Sequence, residues 1–209
     1  MIRLISKNAL ALALVAVVCV AILGSLNQLT QPKIAEQRLL SQLAILQEVL
    51  PEASNTRELL ADCTVVNEPE SLGRATQRVY RWRQDGELKA YVLETTAPDG
   101  YSGNIDLLVA VSPAGTVLGS RVVSHQETPG LGDKIEQRRS NWIYSFSGKS
   151  ATAADAKRWA VTKDGGEFDQ FTGATITPRA VVNAVYRAAL YVQQHPELAT
   201  ATANCEVMP

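Results

Sequence analysis

The sequence predicts an α+β protein, with one N-terminal transmembrane helix followed by a domain in which a twisted antiparallel sheet packs against helices. Three observations carry this reading. A charge-free apolar run stands near the N-terminus, two pairs of β-type segments are each joined by a turn signal, and a patterned amphipathic helix lies near the C-terminus. With 209 residues, the chain has room for one membrane segment and one domain of ordinary size, and too little for two large domains.

Arg3 and Lys7 precede an uncharged run from Ala9 to Leu26. As a helix this run is about 27 Å long, close to the thickness of a bilayer's hydrocarbon core. Basic residues ahead of the run keep the N-terminus in the cytoplasm and send the rest of the chain outside. A cleaved signal peptide shares the charged start and apolar core. The run exceeds the usual signal core of about 7–15 residues and no A-x-A site follows it, which favours a retained anchor. Bulky Val17 and Val18 before Cys19 argue against a lipoprotein cysteine.

Gln31-Pro32 is expected to break the helix. Residues 33–50 then read as an amphipathic helix with Leu39, Leu43, Leu46 and Leu50 on one stripe, ended by Pro51. The polar stretch from Glu52 to Gln77 is expected to be irregular. Arg78 to Arg83 and Leu88 to Thr95, separated by Gln84-Asp85-Gly86, form one predicted hairpin. Ile105 to Val111 and Thr116 to Val123, around Ser112-Pro113-Ala114-Gly115, form a second. A glycine-rich segment at 125–132 leads to a short helix near 133–139, and 141–146 is ambiguous. The final helix, at about 178–194, has Thr177 as its candidate N-cap, Pro178 at its first position, and Val181, Val185, Ala188 and Val192 as its buried stripe.

Composition excludes several classes. At 46% hydrophobic, 20% charged and a formal net charge of −1, the chain has no basic field for nucleic acid and no acidic disordered tail. Its three cysteines form no C-x-x-C or Cys/His cluster, so no bound zinc, iron–sulfur centre or other metal is expected. Cys63 and Cys205 are both in the exported part, where a disulfide is possible. Sequence does not supply the separation of their Cα atoms, so the pairing stays open.

The sharpest local feature is Asp169-Gln170-Phe171-Thr172-Gly173-Ala174-Thr175, directly before the final helix. Small residues let the backbone turn closely there, and the N–H groups that follow converge at the positive end of a helix dipole, a place for a phosphate. The Gly-Lys-Ser/Thr ending of a P-loop is absent, which disfavours a nucleoside triphosphatase. Read blandly, the same residues are an ordinary turn and a helix cap. A hydrolase using Thr175 as nucleophile lacks an identifiable base. His125 and His195, the only histidines, suggest structural or surface roles, and Trp82, Trp142 and Trp159 are core candidates.

The segment resembles the flavinylation motif D-x-x-[ST]-G-A-[TS] of the FMN-binding domains in the Rnf complex G subunit and the Nqr complex C subunit. Asp99-Gly100-Tyr101-Ser102-Gly103 and Glu127-Thr128-Pro129-Gly130-Leu131-Gly132 also have counterparts there, in the same order. The resemblance covers essentially the whole chain and favours Rnf over Nqr. It implies that FMN is joined covalently to the Thr175 hydroxyl as a phosphodiester, with FAD as donor and AMP as leaving group. Thr172, Gly173 and Ala174 would then form the attachment turn, and Asp169 would position the motif or serve its recognition by a flavin transferase. Glu127, Thr128, Gly130 and Leu131 become candidate walls of the FMN pocket, with Lys163 and Arg179 as weaker candidates to offset phosphate charge, and Trp82, Trp142 and Trp159 could touch the flavin if they are not spent in a core.

The implied organisation is a cytoplasmic N-terminus at 1–8, an anchor at 9–29, an amphipathic helix and connecting segment at 30–77, a covalent FMN-binding domain at 78–195 and a tail at 196–209. The implied function is electron carriage in an inner-membrane Rnf-type oxidoreductase, which couples ferredoxin/NAD electron transfer to Na⁺ or H⁺ movement. The A, B, C, D and E subunits of Rnf would be its partners, and no residue of this chain is expected to turn over substrate. The alternatives are the C subunit of an Nqr-type quinone reductase and a membrane-anchored assembly protein without cofactor.

Overall fold

The computed structural model describes residues 2–50 and 56–205. Helix α1, Ile2–Val49, crosses the boundary between two compact units, one ending at Gln42 and the other starting at Leu43. In the first unit, Leu12–Gln31 is a stretch long and apolar enough to cross a membrane, with mean hydropathy 2.2 and none of it buried in protein. Hydroxyls here are spent on the helix itself. Ser25 Oγ donates to the Ala21 carbonyl at 2.7 Å and Thr30 Oγ1 to that of Leu26 at 2.8 Å, the local satisfaction an apolar medium demands.

The expected break at Gln31-Pro32 does not occur, because the backbone stays helical to Val49. An interior proline removes one i→i−4 hydrogen bond, and here good helix formers on both sides carry the helix across it. The stripe read from the leucines is present where it is described: Leu46 and Leu50 are buried. Pro51 lies outside the described residues.

The second unit is built on a five-stranded antiparallel meander in the order β1-β2-β3-β4-β5. Its strands are β1 (Cys63–Val66), β2 (Gln77–Gln84), β3 (Glu87–Gly100), β4 (Gly103–Val111) and β5 (Val117–Ser124). Both predicted hairpins are present, and β3 and β4 add a third through Tyr101-Ser102. The stretch expected to be irregular is structured from residue 56 onward. It holds α2 (Thr56–Ala61), β1, and α3 (Pro69–Leu72), elements of four to six residues that are too short to show a hydrophobic period.

Side chains alternate along the strands, so each face of the sheet has its own core. Val79, Tyr91, Leu93, Leu107 and Val109 face one cluster, where α4 (Ile176–Gln194) buries the predicted stripe of Val181, Val185, Ala188 and Val192. Tyr80, Ala90, Val92, Leu108 and Ala110 face the other, which is closed by Leu46, Val49 and Leu50 at the end of α1 and by Leu59 of α2. Arg121 on β5 donates to the Glu48 carbonyl at 3.1 Å and stacks over Tyr144, 4.5 Å from the ring centre. It thereby satisfies a carbonyl in the last turn of α1.

Beyond β5, the helix expected near 133–139 is a 3₁₀ turn, Gly132–Ile135, and the ambiguous segment is a second, Trp142–Phe146. Trp142 and Trp159 both take part in the aromatic packing around Phe146. The tail returns to the edge strand, where Cys63 and Cys205 form a disulfide with Cα atoms 5.5 Å apart, closing 142 residues. Next to it, buried Arg81 donates to the carbonyls of Leu198 (2.9 Å) and Ala201 (2.5 Å) and pairs with Asp62.

Candidate functional site

The segment before α4 forms a tight turn in which the Ala174 amide donates to the Phe171 carbonyl at 3.0 Å. Gly173 has φ +79, the left-handed conformation that suits glycine. Thr172 and Gly173 are exposed, while Ala174 and Thr175 are half-buried. Thr175, rather than Thr177, occupies the N-cap position of α4 (φ −79, ψ −29), and its side chain makes no capping hydrogen bond. An N-cap hydroxyl ordinarily accepts from the amide two or three residues on. The residue three on is Pro178, which has no N–H. The Thr175 backbone is moreover helical rather than extended as a capping residue's usually is, and with no capping bond made its hydroxyl is not spent on the helix it precedes.

Thr177, predicted as the cap, lies inside the first turn, 1% exposed, and donates its hydroxyl proton to Oε2 of Glu127. Pro178 stands correspondingly at the third helical position, not the first. A buried carboxylate is a stronger partner for a threonine hydroxyl than a backbone amide, so α4 starts earlier than capping rules suggest. Glu127 is itself only 4% exposed. Its Oε1 accepts from the Ser102 amide at 2.9 Å, and its own amide donates to His125 Nδ1 at 3.0 Å. Since Nδ1 accepts, the His125 proton sits on Nε2, which faces Glu136 Oε1 at 2.7 Å. His125 thus has a structural role.

The other candidates divide by environment. The Thr128 carbonyl accepts from the amides of Leu131 and Gly132, both at 3.1 Å. The Gly130 amide donates to Asp133 at 2.8 Å. Leu131 is 42% exposed, and its Cδ2 lies 3.8 Å from where a Cβ on Gly173 would stand, so this loop meets the turn that precedes α4. Ile176, just past Thr175, is 45% exposed. Asp169 is exposed, and its carbonyl accepts from Trp142 Nε1 at 2.7 Å. That indole also packs edge-on against Phe171, with ring centres 5.2 Å apart. Nothing in the sequence marks Trp142 as a support of the motif.

Arg179 is committed elsewhere, gripping Asp164 through two bonds of 2.6 and 2.9 Å. Hydrogen bonding to this guanidinium holds the Asp164 carboxyl below its ordinary range and raises Arg179. Lys163 is exposed, with its amide bonded to Gln170. Positive character beside Thr175 comes from the amides of Ile176 and Thr177 in the first turn of α4 and from the helix dipole. Among the described residues no group of His, Cys, Asp and Glu is arranged to hold a metal ion. What this corner offers is an unspent hydroxyl at a helix N-terminus, flanked by exposed apolar side chains.

Two family models match the chain. The model of the FMN-binding domain matches residues 100–190, and that of the RnfG N-terminal region matches residues 1–49. The G subunit of the ion-translocating oxidoreductase complex of Escherichia coli (strain K12) is 54% identical over 196 residues, which span 94% of this chain and 95% of that one. This chain belongs to that family of G subunits. The Salmonella typhimurium member is 50% identical, with the same coverage, and the Shewanella oneidensis member is 48% identical across 96% of this chain and 95% of its own. The crystal structure of Shewanella oneidensis NqrC matches with TM-score 0.50 at 25% identity, covering 73% of this chain and 74% of that one. The preference for Rnf over Nqr is borne out, and all three motif-bearing segments fall within or at the edge of the FMN-binding match.

Proposed function

We propose that this chain is the component of an Rnf-type ion-translocating oxidoreductase that carries electrons on FMN held as a phosphodiester to Thr175. The observation behind this is the uncapped, half-buried Thr175 hydroxyl at the N-terminus of α4. Attachment forms a bond from Thr175 Oγ to the FMN phosphorus of FAD, breaks the pyrophosphate bond, releases AMP and removes the hydroxyl proton. A flavin transferase supplies that reaction, and exposed Asp169 is available for its recognition. The resulting diester keeps one negative charge, which the first-turn amides and helix dipole stabilise.

When bound, the flavin supplies stepwise electron transfer, and the protein's part is to orient it and tune it. Leu131 and Ile176 present apolar surface to a flat ring, Gly130 and Gly173 let the two loops come close, and Thr128 borders the same loop. Glu127 supports the site from beneath rather than lining it. The Leu12–Gln31 segment anchors the chain in the bacterial inner membrane, with Arg3 and Lys7 on the cytoplasmic side and the flavin domain outside. The Cys63–Cys205 disulfide suits that oxidising compartment. The other Rnf subunits are the partners, passing electrons between ferredoxin and NAD with Na⁺ or H⁺ movement. Denatured full-length protein, made with its transferase, should give a fluorescent flavin band on a gel, and Thr175→Ala should abolish it. A band that persists in Thr175→Ala would place the flavin elsewhere, and a dark wild-type band would favour a cofactor-free assembly protein.

A further inference from the structure

Glu127 joins three segments that are remote in sequence. Its Oε1 takes the amide of Ser102, 25 residues earlier, and its Oε2 takes the hydroxyl of Thr177, 50 residues later. No cation pairs with it among the described residues. A buried carboxylate in that situation is costly unless its oxygens are hydrogen-bonded, and here each oxygen has a partner. The neighbourhood leaves room for nothing larger. A Cβ on Gly132 would lie 2.8 Å from Glu127 Oε2 and 2.9 Å from Thr177 Oγ1, and one on Gly100 would lie 3.0 Å from Glu127 Oε1.

The location of this clamp gives it a purpose. Thr175 does not cap α4, and Pro178 removes the third-position amide from that use. The first turn of α4 thus lacks the side-chain bond that commonly fixes a helix start. The bond from Thr177 to Glu127 replaces it, one residue past Ile176, and ties the turn to buried structure. We infer that Glu127 is the positioning residue of the attachment site, holding the first turn of α4 through Thr177 and so keeping the Thr175 hydroxyl presented to the flavin transferase. This inference rests on covalent attachment at Thr175. It assigns Glu127 a place behind the site rather than in contact with the flavin.

The test uses full-length protein in detergent, purified without flavin and then given flavin transferase and FAD. Thr177→Val keeps the size and removes the hydroxyl, Thr177→Ser restores it, and Glu127→Ala removes the acceptor. Losing a hydrogen bond to a buried charged group should slow flavin incorporation about tenfold to a hundredfold in Thr177→Val and Glu127→Ala. Thr177→Ser should stay near the wild-type rate. Amide hydrogen exchange, measured on the flavin-free proteins, should accelerate in peptides containing Ser102 and residues 174–178 and stay unchanged in the centre of β3 and β4. Thr177→Val that incorporates flavin at the wild-type rate, or exchange that rises equally across the sheet, would overturn the role of Glu127 alone. Wild-type protein that takes up no flavin would overturn the attachment itself, and the role of Glu127 with it.

Discussion

The C-terminal end of α4 leads into a tail tied down by a disulfide and a buried guanidinium, whereas its N-terminal end is held by one carboxylate bonded to neutral donors. At the tail, Arg81 satisfies two carbonyls and Asp62 together, and Arg83 adds a second hold on Asp62 at 3.0 Å. At the turn before α4, Glu127, Trp142 and Pro178 hold the backbone without engaging the Thr175 hydroxyl. The first end is organised for stability. The second keeps one hydroxyl out of the hydrogen-bonding scheme, and that is the group the proposed chemistry needs. If the two ends serve separate purposes, substitutions should separate stability from flavin attachment.

The largest stability loss should follow Arg81→Ala, which strands the buried Leu198 carbonyl and the half-buried Ala201 carbonyl and breaks an ion pair whose guanidinium is 3% exposed. A loss of about 3–5 kcal/mol is expected in denaturant titration, with the flavin content of the folded fraction unchanged. Replacing Cys63 and Cys205 together by serine should cost about 2–4 kcal/mol, again without effect on flavin. Should either change abolish attachment in protein that is still folded, the separation fails.

Pro178→Ala should do the converse. It returns an amide to the third helical position, and a cap worth about 1 kcal/mol would slow flavin incorporation about fivefold, while loss of the proline's restraint on the unfolded chain, about 0.4–1 kcal/mol, offsets most of the cap in overall stability. The smallest effect belongs to the Asp164–Arg179 pair at the surface. Hydrogen bonding to Arg179 lowers the Asp164 pKa in the folded state. Its contribution is therefore present above the ordinary carboxylate pKa and disappears as pH falls through the lowered value. An NMR titration of the Asp164 carboxyl should move upward in Arg179→Gln, and salt should shrink the difference. Flavin attachment should not follow this titration.

The two ends also differ in how far the sequence reveals them. The Thr172-Gly173-Ala174-Thr175 turn, the two hairpins and the stripe of α4 are written in consecutive or periodic residues, so local rules reach them. The Glu127 clamp is not, since its partners lie 25 and 50 residues away. Thr177 reads as a cap in the sequence because capping rules consider only neighbours along the chain. Arg81 sits in a strand with Arg78 and Arg83, and nothing in that run marks it as the buried one. The short β1 is visible only through its pairing with β2 and the tail.

The most direct test is the mass of the Thr175 peptide from full-length protein made with its flavin transferase. The peptide should carry the added mass of FMN less one water, with fragmentation locating it on Thr175. A Thr175 peptide recovered only in unmodified form, from protein exposed to an active transferase and FAD, would contradict covalent attachment at this residue.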